Sequence, residues 1–263
     1  MKNVIRTAIV ATMLGAATLG LAGAATAAPV TAPISAAQQG VALPLSPIMA
    51  PAAPLNDPKG LCSFHDADGN CSVGAGAPSI IIDLTFPANT PQEQSIVDYL
   101  NKVLDDFNAN TEPGTLDNPR PLQELDATST TYTSGTPETG TQTVVVKVDQ
   151  NLGGAHPLTW YKAFTYNNAA KAPITFDTLF RPGTKPLDAI LPIVQRQMSA
   201  TAGQPITIAP EDGLDAANYQ NFAVTNDAVI FFYQNQMHPA YGGIEVSVPR
   251  SAIAKMLNPG IEM

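Results

Sequence analysis

Between Ser79 and Leu257 the chain alternates between a two-residue and a 3.6-residue hydrophobic period. In SIIIDLTF, Ile80, Ile82 and Leu84 share one face, which predicts a strand over 79–86. Thr90-Pro91-Gln92-Glu93 then reads as a helix start, with Thr90 as cap, Pro91 at the first helical position and Glu93 closing a capping box. Ile96, Leu100, Val103, Leu104 and Phe107 carry that helix to about residue 108 on one apolar stripe, while Asp98, Lys102 and Asp105 face away. A Thr-rich strand is predicted over 122–133.

The most strongly patterned stretch follows. Gln142 to Tyr166 predicts two strands, one rich in β-branched residues (Val144, Val145, Val146, Val148) and one aromatic (Trp160, Tyr161, Phe164, Tyr166). They are joined by Gly153-Gly154, which accept positive φ, and by His156-Pro157. Further along, 173–180 reads as a short strand. A helix over 186–199 carries Leu187, Ile190, Leu191, Val194 and Met198 on one face, with Pro192 expected to kink it. A hairpin turning at Asn226-Asp227, a last strand over 244–248 and a short helix over 251–257 complete the pattern. About seven strands and three helices without βαβ alternation predict an α+β domain with a mostly antiparallel sheet, two packed helices and a short C-terminal helix.

The ends of the chain read differently. Lys2 and Arg6, an apolar run from Ala8 to Leu21 and Ala25-Thr26-Ala27 form a secretory signal peptide over 1–27. The run is short and rich in Ala and Gly, unlike the roughly 20 strongly apolar residues of a membrane anchor. Residues 28–59 are dominated by Ala and Pro, which hold a chain extended and deny it backbone donors, so they read as a flexible tether. The folded domain is expected over 60–258, followed by a tail over 259–263. The mature chain is expected outside the cytoplasm, with no transmembrane anchor.

Without Lys2 and Arg6, 11 basic residues face 22 acidic ones, a net charge of −11. Such a surface repels phosphate backbones and excludes nucleic acid as a partner. The two cysteines, Cys62 and Cys71, stand close together and are expected to form a structural disulfide, since a redox pair would more often be CxxC at a helix start. Inside their loop, Asp66-Ala67-Asp68-Gly69-Asn70 fails the spacing of a calcium loop and reads as a polar turn.

Candidate chemistry is sparse. No Gly-x-Ser-x-Gly nucleophile elbow is present; Ser134, Ser199, Ser247 and Ser251 have the wrong neighbours. His65, His156 and His238 are the candidate bases, and His156 is the best placed of them, on a glycine-flanked loop with Asp149 and Tyr161 on the flanking strands. The competing reading gives His156 a structural role in the turn. Three scattered histidines offer no paired spacing for a metal, and no cofactor motif is present. Trp160, Tyr161, Phe231, Phe232 and Tyr233 read as core. Tyr241, before Gly242-Gly243, is the aromatic expected to be exposed and available for binding.

Long stretches of the chain resemble a known family. The two cysteines, GTQTVVVKVDQNLGGAHP, YKAF, PITFDTLF, ILPIVQ, GLDAANYQNFAVTNDAVIFF and VPRSAI are similar to the secreted immunogenic antigens of mycobacteria, within the wider class named for the extracytoplasmic domain of the RsiV anti-sigma factor. The resemblance implies a β-grasp-like α+β fold, export, and antigenicity in an infected host. The wider class includes a lysozyme-binding sensor, and some mycobacterial relatives are described as secreted carboxylesterases. The sequence therefore favours a non-enzymatic secreted protein binding a host or cell-envelope protein or glycan. The alternative is a secreted esterase for short-chain esters, with a Ser or Thr nucleophile and His156.

Overall fold

In the computed structural model, residues 64–66, 68–154, 157–234 and 243–261 are described, all within one compact unit, Pro47–Met263. The first sheet takes seven strands in chain order: β1 (Phe64–His65), β2 (Asn70–Ala77), β3 (Ile80–Pro87), β4 (Gln123–Ser134), β5 (Thr141–Asn151), β6 (Leu158–Asn167) and β7 (Ala172–Pro173). All neighbours are antiparallel except β3 and β4, which run parallel because α1 (Glu93–Ala109) crosses over between them. The sheet is thus mostly antiparallel, as the sequence predicts, but it contains one βαβ unit that the pattern did not suggest. A second sheet of three antiparallel strands, β8 (Phe222–Val224), β9 (Ala228–Tyr233) and β10 (Ile244–Pro249), follows α2 (Phe176–Leu179), α3 (Pro186–Ala202) and α4 (Pro210–Gly213). The short α5 (Arg250–Ile253) closes the described chain with two further turns.

Three apolar clusters order these elements into four layers. The stripe of α1 (Ile96, Leu100, Leu104, Phe107) packs on Ile82 and Leu84 of β3, Leu125 of β4 and Val144, Val146 and Val148 of β5. On the opposite face, Val145 and Tyr161 of the large sheet meet Ala223 and Phe232 of the small one. The outer face of the small sheet, with Val224, Phe231 and Val246, packs on Ile190, Val194 and Met198 of α3. The valine run of β5 has its reason here: a central strand covered on both faces has no need of polar alternation.

Polar links join the two sheets. Thr143 Oγ1 donates to Thr165 Oγ1 at 3.3 Å, and Thr165 Oγ1 donates to the Phe222 carbonyl at 2.7 Å. Asn221 accepts from the amide of Ala163, and Asn226 from that of Gly135.

Local expectations needed correction at three places. The predicted strand 173–180 ends at Pro173, the last residue of β7; Thr175 and Thr178 form a reciprocal capping box that opens the four-residue α2, and Phe180 only bridges to Leu257. Helix α1 begins at Glu93 with Gln92 at its N-cap, while the Thr90 hydroxyl is buried with no partner among the described residues. Glu93 instead accepts from the Asn89 amide at 2.6 Å. Strand β2 was not anticipated, because NCSVGAGA is too rich in glycine to carry an apolar alternation. The polar turn before it is as expected: Asp66 accepts from the amides of Asp68 and Asn70 at 2.9 and 2.8 Å. The hydrogen bonds it receives, that of the Asn70 side chain first, hold its carboxyl below the ordinary value.

Candidate functional site

Side chains on a strand alternate between faces, so hairpin β5–β6 presents two different surfaces. Its even-numbered residues face the α1 layer. Its odd-numbered residues face the small sheet, and there the register aligns polar groups across four strands. Asp83 of β3 is opposite Asp126 of β4, Asp126 is opposite Asp149 of β5, and Asp149 is opposite Thr159 of β6. One step along, Thr128, Lys147 and Tyr161 form a second row.

The centre of this array is tightly bonded. Lys147 Nζ lies 2.7 Å from Asp149 Oδ2, and the Thr159 hydroxyl donates to Asp149 Oδ1. The Asp149 hydrogen bond raises the Lys147 ammonium above its ordinary pKa, with burial acting against it. Partial burial raises the Asp126 carboxyl, and the neighbouring carboxylates of Asp83, Asp149 and Glu124 add to that rise. Tyr161 and Tyr132 are both raised, by burial first and by the charge of Glu245 second. Tyr161 packs on Phe232 with ring centroids 5.3 Å apart, and Gln234 Nε2 reaches its carbonyl at 3.5 Å. An ionised carboxylate fixed by an ammonium and a hydroxyl can orient a base or hold a cation, but it is a poor nucleophile itself.

The residues singled out by sequence fall unevenly. His156, His238, Tyr241 and Cys62 lie outside the described residues. His65 is placed on β1 opposite Cys71 by its backbone alone. Cys71 is fully buried. Asp149 and Tyr161, named as flanking His156, do share one face. Among the serines, Ser134 is bonded to Thr141 at 2.7 Å and Ser199 to the Gln195 carbonyl at 2.7 Å, so both hydroxyls are tied into the fold. Among the described residues no group of three or more His, Cys, Asp or Glu is arranged to hold a metal ion.

Two readings of the aromatic residues diverge. Phe231, Phe232 and Tyr233 are buried as expected. Trp160 is only partly buried and borders a cleft of about 440 Å³ together with Tyr99, Lys102 and Lys162. Being on the last long strand of the sheet, it lies at the edge of the part that α1 covers. Sequence reasoning also passed over Asp126, Lys147 and Thr159. The available signal was the alternation V-K-V-D and T-W-Y, which puts Lys147, Asp149, Thr159 and Tyr161 on one face once the hairpin register is drawn.

Comparison with known proteins adds a family. The family model described as "Protein of unknown function (DUF3298)" matches residues 177–251, which run from α2 into α5 and include the whole small sheet. Over 196 residues the chain is 49% identical to Esterase Rv3036c of Mycobacterium tuberculosis, covering 74% of this chain and 86% of that protein. Over 195 residues it is 45% identical to Immunogenic protein MPB64 of Mycobacterium bovis, covering 73% and 84%. A solved DUF3298 family protein of Pseudomonas aeruginosa is similar at 14% identity and a TM-score of 0.48, over 74% of this chain and 96% of that one. No helix among the described residues is long and apolar enough to cross a membrane. With close to half of its residues identical over more than four-fifths of each curated relative, the chain belongs to the family of the mycobacterial immunogenic proteins MPB64 and MPT64.

Proposed function

We propose that this protein is an exported carboxylic ester hydrolase whose reaction runs on the odd-numbered face of hairpin β5–β6. The observation that carries the reading is the Asp149–Thr159 pair, a carboxylate and a hydroxyl bonded in register on the two strands that residues 152–157, His156 included, connect in sequence. Acyl transfer requires a nucleophile, a base and a group that orients the base. In this reading the Thr159 hydroxyl turns from Asp149 Oδ1 to His156, which takes its proton as Oγ1 attacks the ester carbonyl. The alcohol leaves with the proton, and a water deprotonated by His156 then releases the acid and restores the hydroxyl. Asp149, held by Lys147, stabilises the imidazolium between the steps. The likeness to a relative named an esterase supports the activity class. The leader-like residues 1–27 and the likeness to immunogenic proteins support export.

The test is turnover of p-nitrophenyl butyrate by the purified mature chain beside His156→Ala, Thr159→Val and Asp149→Asn. The expected result is a loss of about 100-fold or more in kcat/KM for His156→Ala and Thr159→Val, the usual size for removing a base or its partner. Absence of turnover in the wild type, or turnover indifferent to His156→Ala, overturns the proposal.

A second reading, a non-catalytic protein that binds at the envelope or on a host component and is met as an antigen, draws on the 45% identity to MPB64 and on the two serine hydroxyls locked into the fold. It stands if the wild type shows no turnover.

A further inference from the structure

The even-numbered face of β6 carries Trp160, Lys162, Phe164 and Tyr166, on the opposite side of the hairpin from Thr159 and Tyr161. Helix α1 lies over β3, β4 and β5 and leaves this strand partly open: Val144, Val146 and Val148 are fully buried, while Trp160 and Phe164 only pack against the edge of the cluster. Two clefts therefore lie side by side between α1 and β6. The first, about 440 Å³, is bordered by Tyr99, Lys102, Asp106, Gln150 and Trp160. The second, about 350 Å³, is bordered by Ser95, Phe164 and Tyr166. Lys162 borders both, so the two adjoin along the strand and together make a groove divided at Lys162.

The side chains on the floor of this groove are bonded to one another. The Trp160 indole N–H donates to the Tyr99 hydroxyl at 2.7 Å, and the Tyr99 and Phe164 rings meet edge to face with centroids 5.8 Å apart. Burial raises the Tyr99 phenol, against the lowering effect of the Trp160 hydrogen bond. Interlocked rings have little left to lose in ordering when a ligand arrives. Trp160 and Phe164 are four residues apart on a strand, roughly 13 Å, the reach of a short oligosaccharide.

The charge here is opposite to that of the chain as a whole. In a protein of net charge −9, Lys102 and Lys162 face one carboxylate, Asp106, and neither lysine forms an ion pair among the described residues. Lys162 Nζ lies over the Phe164 ring, 5.9 Å from its centre, so a ligand that draws the ammonium onto its own carboxylate also uncovers that ring. A ligand suited to this surface has flat apolar faces for the rings, hydroxyls for Gln150 and Tyr99, and spaced negative charges for the lysines.

We propose that the groove between α1 and β6 binds a linear acidic glycan, its sugar rings lying on Trp160 and Phe164 and its carboxylates on Lys102 and Lys162. The site is separate from the hydrolase face and stands or falls without it.

Trp160 is the sole tryptophan of the chain, so its fluorescence reports occupancy of the groove directly. The mature protein is titrated with a hyaluronan tetrasaccharide, with neutral chitotetraose and with a hexaglutamate peptide. The expected result is a saturable change with the hyaluronan fragment only. Lys102→Ala/Lys162→Ala should weaken that binding at least tenfold, with the melting temperature and any p-nitrophenyl butyrate turnover unchanged. No saturable change with hyaluronan, equal binding of chitotetraose or hexaglutamate, or binding indifferent to the double substitution each overturns the proposal.

Discussion

Gly243 lies so close to Tyr161 that a Cβ on the glycine would overlap ring carbon Cε2. Tyr161 also accepts a hydrogen bond from the Gln234 side chain at its carbonyl, so residues 234 and 243, on either side of the segment 235–242, both touch this one tyrosine. Gly243→Ala should force the buried ring to shift and cost about 1–3 kcal/mol, the usual range for overpacking. Urea unfolding measures it. In a Tyr161→Leu background the same glycine substitution should cost less than half as much, and equal costs in both backgrounds would rule out the contact as the cause.

Thr165 links the sheets. Its hydroxyl accepts from Thr143 and donates to the Phe222 carbonyl, all three being buried. Thr165→Val keeps the shape and leaves two polar groups without partners, so a loss of about 1–3 kcal/mol is expected in chemical denaturation. Thr143→Val removes only the outer, longer bond and should cost less.

Asp126 should make stability depend on pH in an unusual direction for a carboxylate. Its pKa is raised in the fold by burial and by Asp83, Asp149 and Glu124, so the folded state binds its proton more tightly than the unfolded chain does. Stability from this group therefore declines as pH rises from the ordinary carboxylate range through the raised value. Asp126→Asn should stabilise the protein at pH 7 and do nothing well below pH 4. The gain should stay under about 1 kcal/mol because the site is partly solvated and screened. Destabilisation at pH 7 in a thermal melt would contradict the like-charge account.

Tyr219 sets a limit at the alkaline end. Its hydroxyl donates to the Gly213 carbonyl at 2.7 Å, and burial pushes its pKa up to about 12. Between the ordinary tyrosine value and about 12 the unfolded chain releases a proton that the folded protein keeps, so stability falls with pH across that interval. Tyr219→Phe should be less stable at neutral pH by about 1 kcal/mol and should show a shallower alkaline decline. Parallel slopes above pH 10 would show that another group controls it.

The expected Cys62–Cys71 bridge is testable in the same way. Replacing both cysteines by serine should cost about 2.5–3 kcal/mol on the chain-entropy account of so short a loop, less any strain released. An unchanged urea midpoint would exclude a stabilising bridge.

The part of the fold that can be read from residue order is local. The apolar stripe of α1, the alternation of β3, the valine strand and aromatic strand of the central hairpin, and the Asn226-Asp227 turn were all readable, because each depends on spacing within a dozen residues. The class, α+β with a mostly antiparallel sheet, follows from that list. Three readings failed for want of context. Residues 173–180 are apolar enough for a strand but carry a threonine capping box, glycine hid β2, and the parallel pairing of β3 with β4 depends on where the chain after α1 returns.

The candidate site was less legible than the fold. Asp149 and Tyr161 could be named as neighbours of His156, but Thr159 becomes the partner of Asp149 only through the hairpin register, and Asp126 joins them only because β4 pairs with β5. The partial exposure of Trp160 had no sequence signal at all. It arises because a single helix covers the middle of a seven-stranded sheet and meets β6 along its edge, where Tyr99 bonds Trp160. Periodicity tells which face of a strand a side chain occupies, and only the packing of one layer on another decides whether that face is covered.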